Sequence, residues 1–404
     1  MKYRNFLYYF ILFNVLFITV LLISCKKYSH IGGGNLPLKV QLQQNDSLLN
    51  INFAGLKVKL FDVKSGFSQI KSFDSLGNVV FDVYPGIYSL LVSGKVTINS
   101  EIMHVNAAIS DFLLTQEGVQ MRKGDAFQDF KIELPIVIPK TSALIIREVY
   151  YAGSKNINTG ENYSRDQYIE IYNNSEYIQY LDSLFIGCMY PYNSNSGNHP
   201  FAGYDTTPIA DAHWMFPGNG SDYPLLPGES AVIAECAIEH SVSDMHMHLE
   251  NSHFAFYHPD LNTSMDASVT ALTRTLKFQS NRYAISVSSP AIVIYRVPNV
   301  AEYYAHPEIW YRYYPGMTSG RQDWCIPQSW ILDGVECFKY GENNTKRLRN
   351  YIDASYQQLT SGQNLGLALT RKIEAVMPDG RIIYQDTNNS WEDFEEKPAN
   401  PRLR

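Results

Sequence analysis

The chain has 404 residues, 45% hydrophobic, 13% aromatic and 18% charged, which is apolar enough for a sizeable core and too apolar for a disordered chain. Acidic residues outnumber basic ones by 40 to 33, for a formal net charge of −7. An acidic chain without a basic stretch interleaved with aromatics speaks against nucleic acid as a partner.

At the N-terminus, Lys2 and Arg4 precede an almost unbroken apolar run from Phe6 to Ile23, interrupted by Asn14. A cationic start and such a run form a secretory signal. The run also approaches a bilayer's thickness, so an uncleaved anchor is the competing reading. It ends in Leu22-Ile23-Ser24-Cys25, which resembles the lipobox of bacterial lipoproteins. The resemblance implies cleavage of residues 1–24 and acylation of Cys25, leaving a lipid-anchored chain of 380 residues. Lys26 replaces the aspartate that retains proteobacterial lipoproteins at the inner membrane. The segment Lys26-Lys27-Tyr28-Ser29-His30 lacks the acidic run of surface-exported Bacteroidota lipoproteins. By resemblance, the expected location is the outer membrane, on its periplasmic face. Four further cysteines would then meet an oxidising compartment: Cys188, Cys236, Cys325 and Cys337. They allow three connectivities. Cys325 and Cys337 close the shortest loop and are the expected pair.

Residues 25–35, with Gly32-Gly33-Gly34, read as a flexible tether. From Leu36 onward the pattern is period two, which means strands with one buried face. Leu38, Val40 and Leu42 alternate with polar residues, and so do Leu56, Val58 and Leu60. Asp74 to Asn78 is turn chemistry, Val79 to Val83 a strand, Pro85-Gly86 a second turn, and Ile87 to Val92 a returning strand. Ile98–Ala108 and Phe130–Leu134 are expected to complete the sheets, with 115–128 as loop. The run from Asp74 to Tyr88, D-x-x-G-x-V-x-F-x-V-x-P-G-x-Y in outline, resembles prealbumin-like sandwiches of the carboxypeptidase-regulatory and collagen-adhesin type. The resemblance implies a non-catalytic spacer or docking domain, with Gly86 in the turn and Tyr88 packed inward. Pro135 to Thr141 reads as a linker, stiffened by Pro135 and Pro139. Domains are therefore expected at 36–140 and 141–404.

In the second region, Leu144–Gly153 reads as a strand, Asp166–Ser175 as a strand ending in a turn, Leu181–Gly187 as a third strand, Leu226–Ala234 as a turn followed by a strand, and Ser154–Ser164 as a loop. Their order resembles the lamin-tail domain, which implies an immunoglobulin-like sandwich. Ala291 to Val297 is a further strand. Tyr303 to Tyr314 is a tyrosine-rich insertion beyond that pattern. Asn344 or Thr345 is placed to cap a short helix through Arg347, Leu348 and Tyr351. The end, from Asp379 to Glu395, reads as a polar tail. Taken with Gly366 to Lys372, the chain resembles a Bacteroidota lipoprotein family catalogued as domain of unknown function 4876. The expected fold class is all-β, two β-sandwiches with loop insertions.

Candidate chemistry is sparse. His240, His246, His248, His253 and His258 crowd one segment, and His246-Met247-His248 alternates as a strand would. Imidazoles with nearby methionines suit zinc or copper, so His246, His248 and His253 form an alternative metal set. The competing reading is a solvated polar loop. Glu148 and Glu170 fall on strands expected to be neighbours, where a glycosidase pair would need a defined separation. Both match positions that the lamin-tail pattern carries in non-enzymes. There is no G-x-S-x-G elbow, P-loop or G-x-G-x-x-G, and Ser68-Gln69-Ile70-Lys71 lacks the companion motifs of an S-x-x-K enzyme. Tyr303, Tyr304, Trp310, Tyr311, Tyr313 and Tyr314 form the candidate binding surface; a buried mini-core is the alternative. The expectation is thus a protein that is not an enzyme and needs no cofactor. It would be a lipid-anchored binding or scaffold module whose partner is another envelope protein, such as a TonB-dependent transporter, or a surface polymer.

Overall fold

The computed structural model describes residues 34–43, 51–62, 65–98, 101–121, 124–196, 201, 204–277, 283–320 and 322–404. The signal, Cys25 and the tether up to residue 33 lie outside the described residues. The fold is all-β.

The first unit has eight strands. They are β1 (Leu36–Gln43), β2 (Lys57–Phe61), β3 (Ser68–Ser72), β4 (Asn78–Val83), β5 (Gly86–Ile98), β6 (Glu101–Thr115), β7 (Gly118–Gln120) and β8 (Lys131–Pro135). A sheet β4-β1-β8 packs on a sheet β3-β2-β5-β6-β7. Alternation decides the faces: Leu38, Val40 and Leu42 are buried between polar neighbours, as are Val58 and Leu60 on β2. The Asp74 carboxylate fastens the β3–β4 turn by accepting the N–H groups of Leu76 and Asn78 at 2.9 and 2.8 Å. Tyr88 packs inward, and its hydroxyl donates to the Tyr84 carbonyl at 2.8 Å. Gly86 serves a need for space, because a β-carbon there would stand 3.1 Å from the Tyr88 ring. The expected loop at 115–128 instead holds the end of β6 and the short β7. The segment after Pro135 is docked, since Val137 and Asn106 exchange two backbone hydrogen bonds of 2.7 and 2.8 Å.

The second unit continues with β9 (Leu144–Tyr150), β10 (Ser154–Lys155), β11 (Asn162–Tyr163), β12 (Tyr168–Asn173), β13 (Gln179–Tyr180), β14 (Phe185–Met189), β15 (Thr206–Met215) and β16 (Pro224–Leu225). Then come β17 (Ser230–Ala234), β18 (Phe254–Ala255), β19 (Thr270–Ala271), β20 (Thr273–Lys277), β21 (Ala291–Tyr295), β22 (Tyr311–Tyr313), β23 (Gln322–Pro327) and β24 (Ile331–Glu336). The last are β25 (Leu367–Arg371), β26 (Ile373–Val376), β27 (Ile382–Tyr384) and β28 (Phe394–Pro398). One sheet runs β19-β18-β17-β12-β9-β25-β28 and the other β22-β23-β15-β14-β21-β24. Between them lies an apolar layer that includes Ile146, Ile169, Ile186, Trp214, Ile292 and Leu369. Strands β9, β12, β14 and β21 are buried along their whole length, because both sheets are also covered on their outer faces. Met247, Leu249 and the C-terminal Leu403 cover the first sheet. Tyr303, Leu348 and Ile352 cover the second, packed with Trp324 of β23.

Three local expectations are corrected. The expected loop at 154–164 contains the β10–β11 hairpin. No helix follows Asn344, because the backbone N–H groups there are spent elsewhere. Those of Arg347 and Leu348 donate to the Glu336 carboxylate at 3.0 and 2.9 Å, and that of Arg349 to the Gln328 side chain. The C-terminal stretch is part of the fold: β28 pairs with β25, and Asp393 is buried. Among the described residues, no helix is long and apolar enough to cross a membrane.

Candidate binding surface

The aromatic insertion divides into a buried half and an exposed half. The short helix Val300–Ala305 is capped by Asn299, whose side-chain oxygen accepts the Glu302 N–H at 3.1 Å. This points Tyr303 into the second sheet's outer face, where it is 2% exposed. The rings of Tyr304, Trp310, Trp324 and Trp330 lie 5.1 to 5.6 Å from its own. The Trp324 indole N–H donates to the Tyr303 hydroxyl. Burial pushes the Tyr303 phenol well above its usual range and that of Tyr304 up to about 12. Tyr303 is therefore an enclosed support of this region, and Tyr304 and Trp310 are half-buried against it. Tyr314 is half-buried against Phe201, and its hydroxyl donates to that of Tyr190 at 3.1 Å.

The exposed half is β22. Tyr311 and Tyr313 are 41% and 37% exposed, and Arg312 between them is exposed too. β22 pairs with β23 and ends the sheet, so among the described residues its other edge has no neighbouring strand. Period-two geometry puts both tyrosines on one face. The Tyr311 ring lies 6.1 Å from Trp324, which ties the exposed strand to its aromatic support.

The histidine segment does not converge. Met247 is buried while His246 and His248 point outward on either side of it, with His246 at a φ of +48°. His248 Nδ1 lies 3.0 Å from a Glu250 oxygen. His253 Nδ1 accepts the Val232 N–H at 3.2 Å. Both nitrogens of His240 are engaged: Nε2 donates to the Cys236 carbonyl at 2.9 Å, and Nδ1 accepts from the Tyr163 hydroxyl at 2.8 Å. Among the described residues, no group of three or more His, Cys, Asp or Glu side chains is placed to hold a metal. The alternative metal set His246, His248 and His253 is corrected on that ground.

Glu148 and Glu170 are directly opposite each other on β9 and β12 and are 1% and 0% exposed. A β-bulge at this point leaves Arg147 without a cross-strand partner. Its guanidinium lies 2.7 Å from Glu148 and 2.9 Å from Glu170. The same two oxygens also accept from Thr370 and Ser230, and the other two accept from the backbone N–H groups of Asn400 and Arg402. Burial pushes the Glu170 carboxyl up, against the opposing pull of Arg147. These carboxylates hold the C-terminal segment onto the sheet and have no open face for a substrate.

The expected Cys325–Cys337 disulfide is also corrected: all four described cysteines are buried and none is in a disulfide. Cys325 is on β23, and Cys337 follows β24. Strands β15, β14 and β21 stand between them. Four strand spacings amount to about 19 Å, against the roughly 7 Å of Cα separation that a disulfide tolerates. Burial pushes the Cys325 thiol up to about 12.

Two buried charge clusters had no signal in the sequence. Arg371 meets Asp333, Asp386 and Asp393 at 2.7, 3.0 and 3.4 Å. Arg347 meets Glu336 at 2.8 Å.

Residues 226–400 match the sequence model of a family described as "Protein of unknown function (DUF4876)". The fold agrees with that match. The chain resembles the crystal structure of a DUF4876 family protein from Bacteroides thetaiotaomicron VPI-5482, solved at 2.50 Å. The two are 27% identical, with a TM-score of 0.54 over 89% of this chain and 94% of the other. The resemblance to DUF4876 read from the sequence is thus met by both comparisons. No curated protein matches the chain.

Proposed function

We propose that this chain is a non-catalytic, lipid-anchored protein of the outer membrane that binds another envelope protein through β22. The observation that carries this reading is the free strand edge with Tyr311 and Tyr313 exposed over a buried aromatic support. An edge strand offers unpaired backbone N–H and C=O groups, and an extended segment of a partner can add to it as a further strand. Tyrosines supply contact area at low entropic cost and are enriched at interface hot spots. A TonB-dependent transporter is one candidate for such a partner. A binding role also fits the use of Glu148 and Glu170, the most enzyme-like pair in the sequence, as internal fastenings.

The test is copurification from detergent-solubilised membranes of the native cell. The expected result is one stoichiometric envelope partner with the unaltered protein, lost with the Tyr311→Ala/Tyr313→Ala variant at unchanged melting temperature. Equal recovery with both, or no partner with either, overturns the reading.

A further inference from the structure

A groove of about 560 Å³ opens where the segment between the two units crosses the second. Its apolar wall is made by Leu144, Ile331, Leu332, Tyr351 and Ile352, and its polar lining includes the cations Lys140 and Arg296. No aspartate or glutamate lines it, in a chain with 40 acidic residues and 33 basic ones. None of its lining comes from the aromatic insertion, so the site is independent of the proposed partner edge.

Arg296 is the centre of the argument. Its guanidinium is fixed by two carbonyls, donating to Asp182 O at 3.0 Å and Tyr180 O at 2.5 Å. Among the described residues, no carboxylate forms an ion pair with it. An arginine has five N–H donors, so the two carbonyl bonds leave capacity for an anion. Burial lowers its pKa, with Asp182 opposing. Ser142 and Ser329 add hydroxyls to the same lining. A fixed guanidinium is suited to a carboxylate, because the planar fork matches its two oxygens. The volume falls within the ~300–1,000 Å³ of small-molecule sites.

We infer that this groove binds a small organic anion with an apolar body, of the medium-chain carboxylic acid class, its carboxylate on Arg296 and Lys140 and its chain along Leu144, Ile331 and Leu332. The anion supplies the missing counter-charge. The chain displaces water from the apolar wall, which an inorganic anion cannot do.

Isothermal titration of the full chain with decanoate tests this, with decanol and acetate as the uncharged and tail-less comparisons. Decanoate is expected to bind with one site, and each comparison at least about tenfold more weakly, since charge-assisted hydrogen bonds and apolar burial each carry that much. Arg296→Met should weaken decanoate by at least about tenfold. Because Arg296 also holds two carbonyls, Lys140→Glu is the second variant. Its side chain is at the exposed lip, so the fold should be untouched while decanoate binding falls. The inference is overturned if decanoate does not bind, if decanol binds as well as decanoate, or if folded Lys140→Glu binds decanoate like the unaltered protein.

Discussion

Glu148 and Glu170 stand directly across from each other on adjacent strands, and one bulged arginine, Arg147, lies between 2.7 and 2.9 Å from both. Removing the arginine leaves two like charges side by side in a buried site. Breaking a buried pair from one side costs about 3–5 kcal/mol. Arg147→Met should lose stability of that order in denaturant unfolding. Glu148→Gln and Glu170→Gln should each cost less, since a neutral amide keeps part of the hydrogen bonding. An unchanged unfolding midpoint in Arg147→Met would show that the pair is not buried as described.

Two of the three aspartates around Arg371, Asp333 and Asp393, give a dependence on pH. Burial pushes Asp333 up to about 6 and Asp393 up to about 7, against the attraction of Arg371 in both cases. A carboxyl raised above its unfolded value of 3.8 holds its proton more tightly in the folded state. Its contribution is complete below that value and is lost as pH rises through the folded value. The melting temperature should therefore carry a component that declines from about pH 4 to about pH 7. Asp393→Asn should flatten that component. A variant with the same decline places the titration elsewhere.

Much of the fold was legible because its signals are local. Alternation marked β1, β2 and β4, and turn chemistry at Asp74 and Pro85-Gly86 marked the turns on either side of β4. The site was less legible. Tyr303 and Tyr311 look equivalent in sequence, and only the direction of a six-residue helix separates a core ring from an exposed one. The buried clusters are long-range: Arg371 and Asp333 are 38 positions apart. The absent helix after Asn344 failed for the same reason, since Glu336 and Gln328 capture backbone groups that a local reading assigns to a helix.

That division of the aromatic insertion can be measured. Tyr303→Ala removes a fully enclosed ring and should cost about 3–5 kcal/mol, as large-to-small core changes do. Tyr311→Ala, at the surface, should stay within about 0.5 kcal/mol. Equal losses in paired thermal melts would mean that β22 is part of the core, and would remove the basis for a partner edge.

Anchoring rests on Leu22 to Cys25, outside the described residues. Cys25→Ala should leave the precursor uncleaved and without acyl chains, as followed by mass spectrometry and detergent partitioning. A variant that is still processed and still partitions as a lipidated protein would rule out the lipobox reading.

The two units differ in what joins them. Their apolar clusters are separate: one draws on residues 38–136, the others on residues from 144 onward. The junction is mainly polar. Asn106 is buried and donates from its side chain to the Thr387 carbonyl at 2.6 Å, and Asn350 donates to Ala108 O at 2.7 Å. Lys59 Nζ stands 3.9 Å from the Trp391 ring centroid, and the Phe61 and Tyr356 rings are 6.3 Å apart. Polar junctions of this kind tolerate separation better than a shared core does. Residues 143–404 expressed alone should fold, with a β-type circular dichroism spectrum. They should melt somewhat below the full chain, because the loop at Thr387 and Asn388 loses the Asn106 donor. Asn106→Ala in the full chain should reproduce part of that loss, at about 1–3 kcal/mol for leaving buried carbonyls unpaired. A helical spectrum for the fragment would contradict the fold, and an unfolded fragment would mean that the two sandwiches are stable only together.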